Sequence, residues 1–376
     1  MKKVLVIHNK YRHIGGEDIA FDKELSLLTK YYKIEEIIFE NKIKNIFLQL
    51  IYFLKNKNNK SMNIVENRIE NFKPDYVYIH NTWFKASLGI FKVIEKKGIP
   101  VIVKLHNFRY FCTKSFFAKD HLDGEKTFKA CGMTNKQVGK INKYFVDSIF
   151  KSLLIVWYGK KYFKIIQNSK IKLFVLTEFH KDFLVNLNFD GSRIHVIPNY
   201  INLSHSKNKA KKENYIIYAG RISDEKGVEE LIKSFLSQNL TNFYLYIVGD
   251  GPSLEYLKSQ YMNKSVKFLG QLENNSVIDL ISKSRAVITT TKLYEGQPTL
   301  LCEASLQGVP SIFPDSGGIK EFFPDSSKLM FRQNDYSDLK NKIIEILNDE
   351  LIKKEGLNNK KYIEDYLRED RLVKMF

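Results

Sequence analysis

The sequence predicts an α/β chain built from two doubly wound parallel sheets, one in each half. Three observations predict it. At 376 residues the chain is about twice an ordinary domain. Short apolar runs rich in Val and Ile alternate with stretches of helical periodicity along both halves. Glycine-bearing loops follow several of those runs, at the strand ends where such sheets bind ligands.

The elements follow in order. In the first half, strands are expected at 3–8, 34–39, 75–80, 100–105, 172–176 and 193–197, with helices at 17–31, 84–97, 138–152 and 178–187. In the second half, strands are expected at 215–219, 243–248, 266–268, 286–289 and 310–313. Helices are expected there at 227–237, 253–261, 274–282, 298–307 and 337–348. The polar, charged stretch 199–213 follows Pro198 and reads as the join. Residues 1–200 and 201–358 are therefore expected as the two domains. The amphipathic tail from about 359 is expected to be helical, and either stays on the second domain or packs back on the first.

Charge separates the halves. Residues 1–200 hold 35 Lys and Arg against 18 Asp and Glu, while residues 201–376 hold 25 against 24. A positive field confined to one half suits an anionic partner: nucleic acid, an anionic membrane surface or a phosphorylated acceptor. A Lys-rich compositional bias is the plainer alternative, although a bias would be expected in both halves. The segment 41–60 places Ile43, Ile46, Phe47, Leu50, Ile51, Phe53 and Leu54 at roughly helical spacing between lysines. It reads equally as an interfacial helix on a bilayer or as a helix packed on the first sheet. No run reaches the length of a membrane span, and the apolar run at Val4 to Ile7 suits a first strand better than a signal peptide. A cytoplasmic protein is the expectation. Cys112, Cys131 and Cys302 are too few for a disulfide framework and are expected as reduced thiols, a redox pair of Cys112 and Cys131 being the sharper alternative. Neither C-x-x-C nor H-E-x-x-H spacing occurs, so no metal site is expected.

Four loops carry candidate chemistry. Gly15-Gly16-Glu17 lies between the first strand and a helix. There Gly16 lets backbone approach a ligand and the helix start offers N–H groups to an anion, or the pair is a plain turn. Gly220 to Gly227, GRISDEKG, follows the first strand of the second half. Arg221 as a planar fork and Lys226 as a point charge can neutralise a diphosphate and the charge it gains as a leaving group. The loop Gly249-Asp250-Gly251-Pro252 reads as structural, with glycines for a sharp turn and Pro252 in a first helical turn. Glu295-Gly296-Gln297-Pro298-Thr299-Leu300-Leu301-Cys302-Glu303 runs from a loop into a helix. Glu303 can accept hydrogen bonds from a ribose diol. Glu295 can face sugar hydroxyls or a developing positive anomeric carbon, and the Thr299 and Leu300 N–H groups can hold a diphosphate. Gly296, Gln297 and Pro298 between them are candidate sugar contacts. His106 follows the strand at 100–105 and is placed to hydrogen-bond a transferred sugar, or is a satisfied structural histidine; His80 is the weaker parallel.

Taken in order, GGED, KLHN, VIPNYIN, AGRISDEKG, VGDGP, YEGQPTLLCEA and GVPSIFPDSGGIKE resemble the retaining family 4 glycosyltransferases of the GT-B fold, and the resemblance covers most of the chain. It implies two Rossmann-like domains facing across a cleft, with acceptor bound by the first and a nucleotide diphosphate sugar by the second. It implies transfer of a hexose-type sugar with retention, needing no metal and no cofactor beyond the donor. By position, Arg221 and Lys226 would grip the diphosphate and Gly16 would approach it or the acceptor. Glu303 would hold the ribose, Glu295 would contact the sugar, and His106 would face it. Gln297 departs from the bulky apolar residue frequent in the family and leaves sugar identity open. The resemblance further implies a glycan or lipid-diphosphate-linked acceptor in capsule, lipopolysaccharide or related polysaccharide synthesis, peripheral at the inner membrane face. Competing readings are a GT-B nucleotide-sugar epimerase, a phosphorylase, a non-catalytic sugar-binding module, and a basic nucleic-acid-binding protein. The last is disfavoured because the aromatics lie in apolar runs rather than basic patches.

Overall fold

The computed structural model describes residues 1–10, 16–41, 51–52, 54–108, 149–202 and 210–373. They divide into two compact units, Met1–Tyr200 with Glu369–Phe376, and Ile201–Arg368.

The first unit holds a six-stranded sheet: β1 (Lys3–Lys10), β2 (Lys33–Glu40), β3 (Tyr76–Ile79), β4 (Val101–Leu105), β5 (Ile171–Val175) and β6 (Ile194–Val196). The order is β2-β1-β3-β4-β5-β6 and the pairings are parallel, so the winding reverses between β1 and β3. Central strands read as continuous apolar runs because helices cover both faces. Val4 to Ile7, Val77 to Ile79 and Val101 to Val103 are all buried. β2 is an edge, and it alternates instead: Ile37 and Phe39 are buried while Ile38 is 37% exposed.

The second unit repeats the scheme with β7 (Tyr215–Ala219), β8 (Tyr244–Val248), β9 (Val266–Gly270), β10 (Ala286–Ile288), β11 (Ser311–Asp315) and β12 (Met330–Arg332), in the order β12-β11-β10-β7-β8-β9. Its winding reverses between β7 and β10. One face is filled by Ile216, Leu231, Phe235, Leu245, Leu339 and their neighbours, the other by Ile217, Val287, Leu301, Phe313, Phe322 and Ile363. Among the described residues no helix is long and apolar enough to cross a membrane.

The fold class is as the sequence predicts; several elements differ, for physical reasons. The helix expected at 84–97 begins only at Gly89. Before it, the Asn9 side chain accepts from the Ala86 N–H and the Asn81 side chain from the Trp83 N–H, both at 3.0 Å. Ser87 takes φ 64°, so the chain is held in a turn. The helix Asn59–Phe72 had no counterpart in the sequence reading, although Ser61, Val65, Ile69 and Phe72 line its buried face at helical spacing and Asn58 caps it. The expected helix 138–152 lies mostly outside the described residues, and a helix runs over Ile149–Ile166. The three-residue β12 was too short to read. The C-terminal helix starts earlier than 359, at Asp349, and runs to Tyr366. There Ile363 and Leu367 stay in the core of the second unit, while Leu372 joins a core of the first. Gly15, Cys112, Cys131 and most of the apolar stripe of 41–60 lie outside the described residues. Cys302 is a free, buried thiol whose pKa burial raises.

Candidate functional site

In a doubly wound sheet, strands leaving in opposite directions open a crevice at the carboxyl end of the strands where the order reverses. In the second unit that point lies between β7 and β10. The loop after β7 carries Arg221 and Lys226; the loop after β10 carries Glu295. The backbones of these loops are tied together. Thr290 Oγ1 donates to the Gly227 carbonyl at 2.8 Å, and the Lys292 N–H donates to the Glu225 carbonyl at 3.0 Å. The Lys292 ammonium reaches Asp224 on the loop after β7 at 2.9 Å and Glu230, on the helix that follows it, at 2.7 Å.

This framework brings Lys226 and Glu295 into an ion pair through Oε1 of the carboxylate, although 69 residues separate them. Thr291 Oγ1 donates to the same oxygen at 3.1 Å. The pair is partly hydrated, its side chains 26% and 30% exposed, so it is a weak bond by the standard of buried pairs and can be exchanged for a ligand. The loop after β11 closes from the other side. The Gly318 N–H donates to the Glu295 carbonyl at 2.9 Å. Gly317, at φ 58°, sits so close that an added Cβ would lie 2.6 Å from that carbonyl oxygen. The loop 249–252 makes the sharp turn its glycines suggest, but Pro252 stands outside the helix, which begins at Leu254 after an N-cap at Ser253. A Cβ on Gly249 would fall 1.9 Å from the Gly220 carbonyl oxygen, and the Asp250 carboxylate accepts from the Gly251 N–H at 2.7 Å.

The other expected residues take the following places. Arg221 is exposed on the loop after β7, its carbonyl accepting from the Tyr218 hydroxyl at 2.7 Å. Gly296, Gln297 and Pro298 are half-buried, and the helix starts at Thr299, with Pro298 just outside it. Glu303 is half-buried on that helix. One expectation needs correction. The Thr299 N–H is turned back onto the Gln297 carbonyl at 3.0 Å by the Pro298 bend, so it is not on offer to a diphosphate, which leaves Leu300 of the two. Thr290 and Thr291, which help build the cluster, are not among the residues read from the sequence; the run Thr289-Thr290-Thr291 straight after β10 is the available signal.

In the first unit the winding reverses between β1 and β3, and His8, His80 and His106 come from β1, the end of β3 and the end of β4. His80 Nδ1 and His106 Nε2 share a hydrogen bond of 3.0 Å and their rings stack at 5.2 Å. One nitrogen donates and the other accepts, so the bond requires a proton on one ring only. Burial first, then the Lys104 ammonium and His8, hold His80 well below the ordinary imidazole range. Burial, His80 and Lys104 do the same to His106. Lys104 is itself fully buried, paired with Glu24, which also accepts from the Tyr78 hydroxyl at 2.7 Å. The pair is thus two neutral imidazoles. His106 Nδ1 is buried without a partner, and a cavity of about 40 Å³ opens beside it, lined by Glu17, Thr82, Trp83, Asn107, Tyr158 and Tyr162 among others. An unpaired imidazole nitrogen on such a cavity suits a ligand hydroxyl. Gly16 opens the helix Gly16–Leu28, with open space where a Cβ would stand.

Residues 201–364 match the family described as Glycosyl transferases group 1. Among curated proteins, the chain is 27% identical over 248 residues to an uncharacterized glycosyltransferase of Methanocaldococcus jannaschii, covering 61% of this chain and 63% of that protein. It is 27% identical over 175 residues to the amylovoran biosynthesis glycosyltransferase AmsD of Erwinia amylovora, covering 43% and 49%. The chain therefore spans about half to two thirds of these two relatives. A second uncharacterized glycosyltransferase of Methanocaldococcus jannaschii matches at 21% over 96% of this chain and 93% of its own. Among solved structures, Anabaena Alr3699/HepE in complex with UDP and glucose superposes with a TM-score of 0.69 at 14% identity, covering 100% of this chain and 98% of that one. Sucrose-phosphate synthase from Thermosynechococcus elongatus gives 0.68 at 14%, covering 99% and 96%.

Proposed function

We propose that the protein is a retaining glycosyltransferase, a reading supported by the match of residues 201–364 to the Glycosyl transferases group 1 family and by the fold. It moves a hexose-type sugar from a nucleotide diphosphate donor to a glycan or lipid-linked acceptor in cell-surface polysaccharide synthesis. The observation that carries the reading is the Lys226–Glu295 pair at the β7/β10 reversal, with Arg221 on the same loop. A diphosphate entering there draws the Lys226 ammonium from the carboxylate, and Glu295 is released to hydrogen-bond the sugar. As the bond from the anomeric carbon to the diphosphate oxygen breaks, its electron pair stays on the diphosphate, where Arg221 and Lys226 stabilise it. The acceptor oxygen bonds to the anomeric carbon on the same face, and its proton passes to the departing phosphate oxygen. Glu303 holds the ribose, Leu300 offers its N–H to the diphosphate, and Gly296, Gln297 and Pro298 shape the sugar pocket. His106 donates or accepts one hydrogen bond at a sugar hydroxyl through Nδ1, and Gly16 lets backbone approach.

The relative named for amylovoran biosynthesis supports a polysaccharide product, and the glycosyltransferase names of the three curated relatives disfavour the epimerase reading. The excess of positive charge in residues 1–200 suits a lipid diphosphate acceptor at an anionic inner membrane face. The test is a thermal-shift panel of UDP, GDP, ADP and dTDP, each present well above its dissociation constant. One of them should stabilise the wild type by a few kcal/mol and leave Lys226→Met nearly unmoved. If no nucleoside diphosphate stabilises the protein, or if Lys226→Met responds as the wild type does, the reading falls.

A further inference from the structure

The amino edge of the second sheet carries a cavity that the transfer reaction does not use. It has a volume of about 520 Å³, within the range of small-molecule sites. Its lining begins where strands begin: Lys212 lies shortly before β7, Arg285 immediately before β10, and Pro310 immediately before β11. The donor loops leave the other end of the same strands, so the cavity is a separate place. Its far wall is one face of the helix Asp349–Tyr366, presenting Asp349, Ile352, Lys353, Leu357 and Lys360. That helix is pressed against the turn after Leu306. Gly356 lies so close that an added Cβ would stand 2.1 Å from the Gly308 carbonyl oxygen, so the wall is fixed by backbone contact.

The lining is unbalanced in charge. Four cations, Lys212, Arg285, Lys353 and Lys360, meet one carboxylate, Asp349. Arg285 is buried and rigidly held, its Nε donating to the Ile346 carbonyl at 2.9 Å and its Nη2 to the Leu347 carbonyl at 3.0 Å and to Asp349 at 2.6 Å. The Asp349 side chain is 83% exposed, so water screens it and it offsets little of the charge inside. Lys212 is half-buried and donates to the Ser282 carbonyl at 2.9 Å. Lys360 leans on Glu364 at a loose 3.9 Å. Arg285 is buried and Lys212 half-buried beside a single, largely hydrated carboxylate, with Lys360 half-buried and Lys353 exposed next to them, so an anionic ligand would offset the excess positive charge. Ala210, Pro310, Ile352 and Leu357 supply apolar surface for a carbon body beside it.

We propose that this cavity binds a small soluble phosphorylated molecule, its phosphate held between Lys212, Arg285 and Lys353 and its carbon body against Ile352 and Leu357. A phosphate dianion accepts from all three donors at once, as a carboxylate monoanion cannot do with equal charge matching. The volume admits a small molecule.

Proton linkage gives the site a signature. Burial, then Arg285, lowers the Lys212 amine to about 8. The other charged groups around it are Asp349, Lys353 and Lys360 on the helix wall, its neighbour Glu213, and the Lys283–Asp279 pair on the helix that supplies the Ser282 carbonyl. A bound dianion favours the ammonium, so binding at pH 8 takes up as much as about half a proton per site. The experiment is calorimetry at pH 8 with inorganic phosphate and with glycerol 3-phosphate, in two buffers of different ionisation enthalpy. Lys226→Met keeps the donor loops from contributing. The expected result is one site that binds glycerol 3-phosphate more tightly than phosphate, with proton uptake. Lys212→Met should abolish the uptake, and Lys212→Met and Lys353→Met should each weaken binding about tenfold. Lys353 is exposed, whereas Lys212 holds the Ser282 carbonyl at a helix end, so folding of each variant is checked by its melting temperature, and Lys353→Met tests the site without removing that hydrogen bond. Binding that survives both substitutions, or absence of binding by either probe, overturns the proposal. So does a protein that ignores both probes yet binds vesicles containing phosphatidic acid.

Discussion

At the carboxyl edge of the second sheet the polar groups are charged and partly wet: Lys226 and Glu295 in a 26%- and 30%-exposed pair, with Arg221 outside it. At the same edge of the first sheet they are stacked imidazoles, His80 buried and His106 half-buried, near a Lys104–Glu24 pair whose side chains are 0% and 5% exposed. Seven of the eight histidines of the chain lie in residues 1–200. Under the proposed function the difference suits two kinds of ligand. A diphosphate must displace hydration and an existing partner, which a half-exposed ion pair permits. A sugar hydroxyl needs only a donor or acceptor of fixed direction, which a neutral buried imidazole supplies and a charged one would overcommit.

The largest expected effect tests that contrast directly. Lys226→Met removes the cation from the diphosphate and leaves Glu295 without its partner. It should lower kcat/KM by roughly 10²–10³-fold, most of it in kcat, because the leaving group gains charge as the bond breaks. His106→Phe removes one neutral hydrogen bond and should cost roughly ten- to a hundredfold. Steady-state kinetics on the donor nucleotide sugar check both. If the two substitutions cost the same, the distinction between a charged and a neutral site collapses.

Much of the scaffold was readable beforehand, and the reason is periodicity. Tyr215–Ala219 stands where its apolar run placed it, and the loops after β7 and β10 were found because glycine, proline and charge cluster there. What could not be read depends on partners far along the chain. The turn at 81–88 is held by Asn9, more than seventy residues earlier, and nothing local distinguishes it from a helix start. The Lys226–Glu295 pair and the His80–His106 pair likewise span separations that only the sheet order resolves. Helix Asn59–Phe72 is the exception, since its buried face and Asn58 cap were both visible in the sequence. The adjoining run of lysine and asparagine obscured them.

A smaller effect follows from the histidines. Burial holds His180 at about 3 and holds His8, His80, His106 and His195 below the ordinary value as well. The folded pKa is below the unfolded one, so the unfolded chain binds protons that the folded chain refuses. Stability is full above pH 6.5 and is lost as pH falls below it. His180 alone should cost roughly 2 kcal/mol by pH 5. The described part of the second unit contains no histidine. Hydrogen exchange at pH 7 and at pH 5 should therefore show β3, β4 and β5 losing protection while β7, β8 and β10 keep theirs. Equal losses in the two sheets would mean that the imidazoles do not set the acid response.

The smallest effect lies in a hydroxyl that each region places beside its reactive group. Thr291 Oγ1 donates to Glu295 at 3.1 Å and accepts from the Leu293 N–H at 3.2 Å, fixing the carboxylate that Lys226 shares. Thr82 Oγ1 bonds the Tyr158 hydroxyl at 2.9 Å, two neutral groups on the wall of the histidine cavity. A hydrogen bond to a charged acceptor is worth more than one between neutral groups, by about 1 kcal/mol. Thr291→Val should therefore lower kcat/KM about tenfold, whereas Thr82→Val should change it only about twofold. Thr291→Ser, which keeps the oxygen and loses the methyl, should restore most of the loss. Recovery by serine separates the aim of the carboxylate from simple packing of a residue that is 2% exposed; a serine variant as slow as the valine one would assign the effect to packing instead.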